Sequence, residues 1–125
     1  MSRGWLVLVL VAAVSFAAAA TALAKKIGSA TASGDYAIAT ASGDAKHPHK
    51  IKVKVTSSPR QRVDVSWLVV CSKGYGAGSK SGQFHHKTNV TRRLKMPMKH
   101  PDDCTIAATA QLDQGGHLKV TLYAH

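Results

Sequence analysis

Val63-Asp64-Val65-Ser66-Trp67-Leu68-Val69-Val70-Cys71 and Cys104-Thr105-Ile106-Ala107-Ala108-Thr109-Ala110-Gln111-Leu112 are the two stretches whose reading decides the architecture. In the first, Val63, Val65, Trp67, Val69 and Cys71 share one parity, broken up by Asp64 and Ser66. In the second, Cys104, Ile106, Ala108, Ala110 and Leu112 alternate with Thr105, Ala107, Thr109 and Gln111. Successive side chains of a strand point to opposite faces, so a period of two marks a strand buried on one side.

The same period recurs outward from these stretches. Ile51, Val53 and Val55 alternate with Lys50, Lys52 and Lys54, and Leu118, Val120 and Leu122 alternate with Lys119, Thr121 and Tyr123. Val90, Leu94, Met96 and Met98 share a parity interrupted by Arg92, and the two methionines read as core residues. Turn signals separate the runs: Ser57-Ser58-Pro59, the glycine-rich stretch 74–82, Pro97 to Asp103, and Asp113-Gln114-Gly115-Gly116. The stretch 74–82 reads as a mobile loop. Thr-Ala-Ser-Gly-Asp occurs at 31–35 and again at 40–44, which reads as two turns bracketing a short strand, Tyr36 to Ala39. No amphipathic helix follows residue 24.

The ends and the composition set the compartment. Arg3 precedes an uncharged apolar run to Ala20, and Ala22-Leu23-Ala24 provides small residues for cleavage, the pattern of a secretory signal peptide over residues 1–24. The chain contains two cysteines, Cys71 and Cys104, and an even count in an oxidising compartment predicts a disulfide. It would close a 33-residue loop, contributing about 3–4 kcal/mol in the loop-entropy model. Without Arg3 the chain keeps sixteen Lys and Arg against six acids, all of them Asp. That excess favours anionic partners. The expected location is secreted or associated with a bacterial cell envelope, with contact to membrane only through the signal peptide.

Six or seven short strands in about a hundred residues suggest an all-β antiparallel sandwich. In pattern, residues 35–125 resemble the immunoglobulin and fibronectin type III group. Val65 to Val69 looks like the C strand with its buried Trp, 103–112 like F, 116–122 like G, 49–56 like B and 89–96 like E. The resemblance implies B and E in one sheet and C, F and G in the other. Residues 25–34, rich in Ala, Ser, Thr and Gly, precede it and are expected to be a flexible N-terminal segment. It also sets the end of C beside the start of F, so Cys71–Cys104 becomes an intra-sheet C–F disulfide with Cα atoms about 5.5 Å apart. The usual immunoglobulin bridge joins B to F instead.

On this assignment Lys50, Lys52 and Lys54 point outward from B, with Arg93 and Lys95 outward from E, a cationic ridge suited to an anionic polymer. The outward side of C, F and G is nearly neutral, and its exposed Leu68 and Val70 suit either a protein contact or cover by a neighbouring segment. A second candidate is copper or zinc held by His47 and His49, two imidazoles at i and i+2. Catalysis is not expected: there is no Glu, no G-x-S-x-G elbow, and both cysteines are committed to the disulfide. No aromatic stacking pattern for nucleic acid occurs, and no cofactor is implied. The expectation is a non-catalytic exported module that binds an anionic envelope polymer or a protein partner.

Overall fold

The computed structural model describes residues 24–125; the expected signal peptide lies almost wholly outside the described residues. The described residues form eight strands: β1 (Lys25–Gly34), β2 (Ile38–Lys46), β3 (Ile51–Ser58), β4 (Arg62–Lys73), β5 (Gly76–Lys87), β6 (Val90–Leu94), β7 (Asp103–Leu112) and β8 (Gly116–Ala124). They make two four-stranded antiparallel sheets, ordered β1-β8-β3-β6 and β2-β7-β4-β5. Eight strands nested in this order are a jelly roll, in which each sheet takes strands alternately from the two ends of the chain.

The alternating runs account for the core. Ile51, Val53 and Val55 of β3 and Leu118, Val120 and Leu122 of β8 face Val63, Val65 and Val69 of β4 and Ile106, Ala108 and Leu112 of β7, all essentially without solvent exposure. Cys71 and Cys104 are direct partners in the β4–β7 register and are joined as a disulfide, with Cα atoms 4.0 Å apart. The expected intra-sheet bridge is therefore present, at closer range than anticipated.

Three sequence expectations are corrected. First, β8 does not join β4 and β7, as an immunoglobulin G strand would. It lies between β1 and β3, pairing Val55 with Val120 and Ala30 with Val120. The immunoglobulin-like strand order is replaced by the jelly-roll order. Second, residues 25–34 are not a flexible lead-in but β1, paired with β8 from Lys25↔Ala124 to Gly34↔Gly116. Third, the glycine-rich stretch is no mobile loop. Only Gly74 and Tyr75 turn, with Gly74 at φ 57°, and residues from Gly76 onward pair with β4 along its length. The eight-strand total also exceeds the six or seven expected.

Glycines explain two of these departures. The inward sides of Gly78 and Gly82 leave room for larger neighbours: a Cβ on Gly82 would lie 2.7 Å from the Trp67 ring, which occupies that space. Trp67 is accordingly half-buried, packed over the backbone of β5. At the opposite side of the sandwich, β1 crosses β2 at backbone contact. A Cβ on Gly28 would lie 2.1 Å from the Ser42 carbonyl oxygen, and one on Gly43 2.3 Å from that of Ile27. The second Ser-Gly-Asp triplet, read as a turn, is therefore strand backbone stripped of a side chain so that the sheets can meet. Gly43→Ala is expected to destabilise the fold by about 1–3 kcal/mol through this clash. Urea unfolding checks it, with exposed Ser42→Ala as a near-neutral control; equal stability of the two variants would refute the contact.

The other side of the sandwich, between edge strands β5 and β6, is spanned by side chains. Arg92 faces inward from β6 and its guanidinium carbon sits 4.3 Å from the Phe84 ring centroid on β5. The alternation broken at Arg92 is thus a cation–π cover over the rim of the core.

Candidate anion-binding face

Residues directly opposed in an antiparallel ladder share a face. The outer face of the β1-β8-β3-β6 sheet can therefore be read row by row from its register. One row runs Arg93, Lys52, Tyr123, Lys26 across the four strands. The next runs Thr91, Lys54, Thr121, Ser29, and the third continues Thr56, Lys119, Thr31. Ser58, His117 and Ser33 complete the face.

Of the five cations expected on the ridge, the structure brings Lys52, Lys54 and Arg93 together as neighbours. Lys52 opposes Arg93 directly. Two like charges in that position repel, an arrangement that a bound anion relieves. Lys50 lies just before β3, where its carbonyl oxygen accepts the His125 backbone N–H at 2.9 Å. Lys95 follows β6 and lines a recess of about 440 Å³ with Lys80 and Arg93. Both stand at the same end of the sheet as the Arg93 row.

Sequence reading missed Lys26, Lys119 and Tyr123 for this face. It left β1 as an unpaired segment and put β8 in the other sheet. Tyr123 is half-buried between Lys52 and Lys26, and Thr121, though it points outward, is only 5% exposed.

At the other end of β8 the face dips into a cleft of about 390 Å³, walled by β1 and β3 and lined by Thr31, Ser33, Thr56, Ser57, His117 and Lys119 among others. The Ser33 hydroxyl and His117 Nδ1 are 2.7 Å apart, a hydrogen bond that holds the imidazole in the cleft. The four strands carry seven Lys and Arg and no Asp. Acidic side chains on strands all belong to the second sheet: Asp44, Asp64 and Asp103.

The second sheet's outer face is mostly neutral. Thr40 and Thr109 hydroxyls are 2.9 Å apart, Thr105 donates to Asp44 at 2.8 Å, and Asp64 is paired with His85. Leu68 and Val70 remain 43% and 42% exposed, flanked by Ala107, Thr105 and the small residues Ser81 and Ser79 of β5. Neither the glycine-rich stretch nor the N-terminal strand covers them.

For the metal candidate, His47 has φ 49° and its backbone N–H donates to the Asp102 carbonyl at 2.9 Å. The ring of His49 instead meets that of His100, with centroids 6.2 Å apart. Among the described residues no three His, Cys, Asp or Glu side chains converge in a way that could hold a metal ion.

No family model matches the chain, and no curated protein matches its sequence. Solved structures align with the chain at low identity. TmCBM61, a carbohydrate-binding module solved in complex with β-1,4-galactotriose, aligns over 82% of this chain and 69% of its own at 11% identity, TM-score 0.47. The mitogen from Yersinia pseudotuberculosis aligns over 82% of this chain and 86% of its own at 9% identity, TM-score 0.46. The C-terminal domain of A223, a structural protein of Sulfolobus turreted icosahedral virus, covers 82% of this chain and 99% of its own at 13% identity, TM-score 0.42.

Proposed function

We propose that this chain is a non-catalytic, exported binding domain whose β1-β8-β3-β6 face holds an anionic polymer. The observation that carries the reading is the segregation of charge: Lys26, Lys52, Lys54, Arg93 and Lys119 share the outer face of a sheet whose strands carry no acid. An ordinary solvated surface interleaves both signs, whereas a one-sign face concentrates counter-ions of the other. Tyr123 among the lysines adds an apolar ring, and the hydroxyls of Thr31 and Thr56 add uncharged donors for a polymer's neutral groups. From His117 to Tyr123 the central strand runs about 20 Å, long enough for several repeats of a polysaccharide chain. The buried Cys71–Cys104 disulfide supports an oxidising compartment, and no helix among the described residues is long and apolar enough to cross a membrane.

The test is a titration of the oxidised protein with a sulfated dextran, followed by backbone NMR shifts at two ionic strengths. Shifts concentrated on β1, β3, β6 and β8, persisting at physiological salt, are the expected result. Shifts spread equally over both sheets and lost at physiological salt would mean unspecific surface charge and end the reading.

A further inference from the structure

The end of the sandwich beyond β3 and β6 holds an unassigned group of donors. His49, Met96, Met98 and His100 line one cavity of about 300 Å³. His49 comes from the β2–β3 connection and the other three from the connection between β6 and β7, so the fold, not sequence proximity, assembles them. Each imidazole adjoins a buried proline, Pro48 beside His49 and Pro101 beside His100. The His49 backbone N–H also donates to the His125 carbonyl at 2.7 Å. The backbone beneath both rings is therefore held. The rings stand 6.2 Å apart between centroids and 83° to one another, a span that one ion can bridge at metal–nitrogen distances of about 2.0 Å with small side-chain rotations. Met96 and Met98 are half-buried against the core, and their unbranched chains can turn sulfur toward the cavity without moving the backbone.

The donor set selects the ion. Two imidazoles and two thioethers are all neutral, and the cavity wall holds no carboxylate or thiolate. Calcium and magnesium require oxygen ligands, and zinc sites use thiolate, imidazole or carboxylate. Thioether with imidazole suits soft Cu(I). Charge points the same way: Arg93 and Lys99 also line the cavity, and their repulsion of a divalent ion is twice that of a monovalent one. We propose that His49, His100, Met96 and Met98 form a binding site for a soft monovalent ion, Cu(I). The site adjoins the polymer-binding face at Arg93, takes none of its ligands from that face, and differs from the His47–His49 pair.

Silver(I) is the first probe, because it needs no reductant and so leaves the Cys71–Cys104 disulfide closed. Competition with a chromophoric Cu(I) chelator follows. The expected result is one ion per chain, with methyl NMR shifts at Met96 and Met98. Affinity should fall at least about tenfold in the Met96→Leu/Met98→Leu variant and about a hundredfold in His49→Ala/His100→Ala, and stay unchanged in His47→Ala. Leucine conserves the methionine volume, so the first variant reports on sulfur and not on folding. Wild-type affinity in either double variant, binding lost in His47→Ala, or zinc(II) bound as tightly as silver(I), would overturn the assignment.

Discussion

Replacing Cys71 and Cys104 together by alanine is expected to lower the unfolding free energy by about 3–4 kcal/mol. For a domain of this size that corresponds to a fall of about 12–30 °C in melting temperature. The bridge closes a 33-residue loop that contains β5, β6 and the connections on either side of them. In the reduced unfolded chain this loop is free, and most of the loss is the entropy of closing it. Both cysteines are also buried, so alanine adds the loss of packed sulfur between β4 and β7. Thermal and urea unfolding of the oxidised protein, the reduced protein and the double variant separate the contributions. If the reduced wild type and the variant agree, covalent closure dominates. A loss below about 1 kcal/mol in both would show that the ladder on each side of the bridge already fixes the loop.

The second large effect concerns binding. Lys52→Gln, Lys54→Gln and Arg93→Gln combined should weaken sulfated-polymer affinity about a hundredfold at low salt and reduce the slope of log affinity against log salt by about two to three. Glutamine keeps a polar, hydrogen-bonding side chain without the charge, so the change reads out mainly charge. These side chains lie on the outer face and the core residues beneath them are untouched, so stability should hold. Relief of the Lys52–Arg93 repulsion should even offset part of the lost packing. The matched control is Lys46→Gln, Lys73→Gln and Lys87→Gln on the second sheet, which removes the same charge. Equal weakening in both triple variants would reduce the proposed face to net charge alone.

Much of this architecture is legible in the residues, and the exceptions share a cause. β3, β4, β7 and β8 alternate Val, Ile and Leu with Lys, Ser and Thr because each has one face in the core and one in water. β1 and β5 lack such a pattern: inward positions of β1 hold glycine and alanine, and those of β5 include Gly78 and Gly82, where a backbone, Met98 or the Trp67 ring occupies the space. Alternation also says that a run is a strand without saying which strand it pairs with. The cysteines resolved that question for β4 and β7, and no comparable marker existed for β8. Its misplacement removed Lys119 and Tyr123 from the basic face, although their outward parity was readable. The meeting of His49 with Met96, Met98 and His100 depends on two connections folding to the same end, which local pattern does not encode.

The β1–β8 pairing also sets how the molecule bears tension. Lys25 lies opposite Ala124, so the two ends of the domain leave side by side from one edge of one ladder. A load across them opens that ladder like a zipper, one rung at a time, instead of shearing all its hydrogen bonds together. The pair after the terminal one sets Lys26 against Tyr123, so a pull on both ends reaches the basic face before the disulfide-stapled sheet.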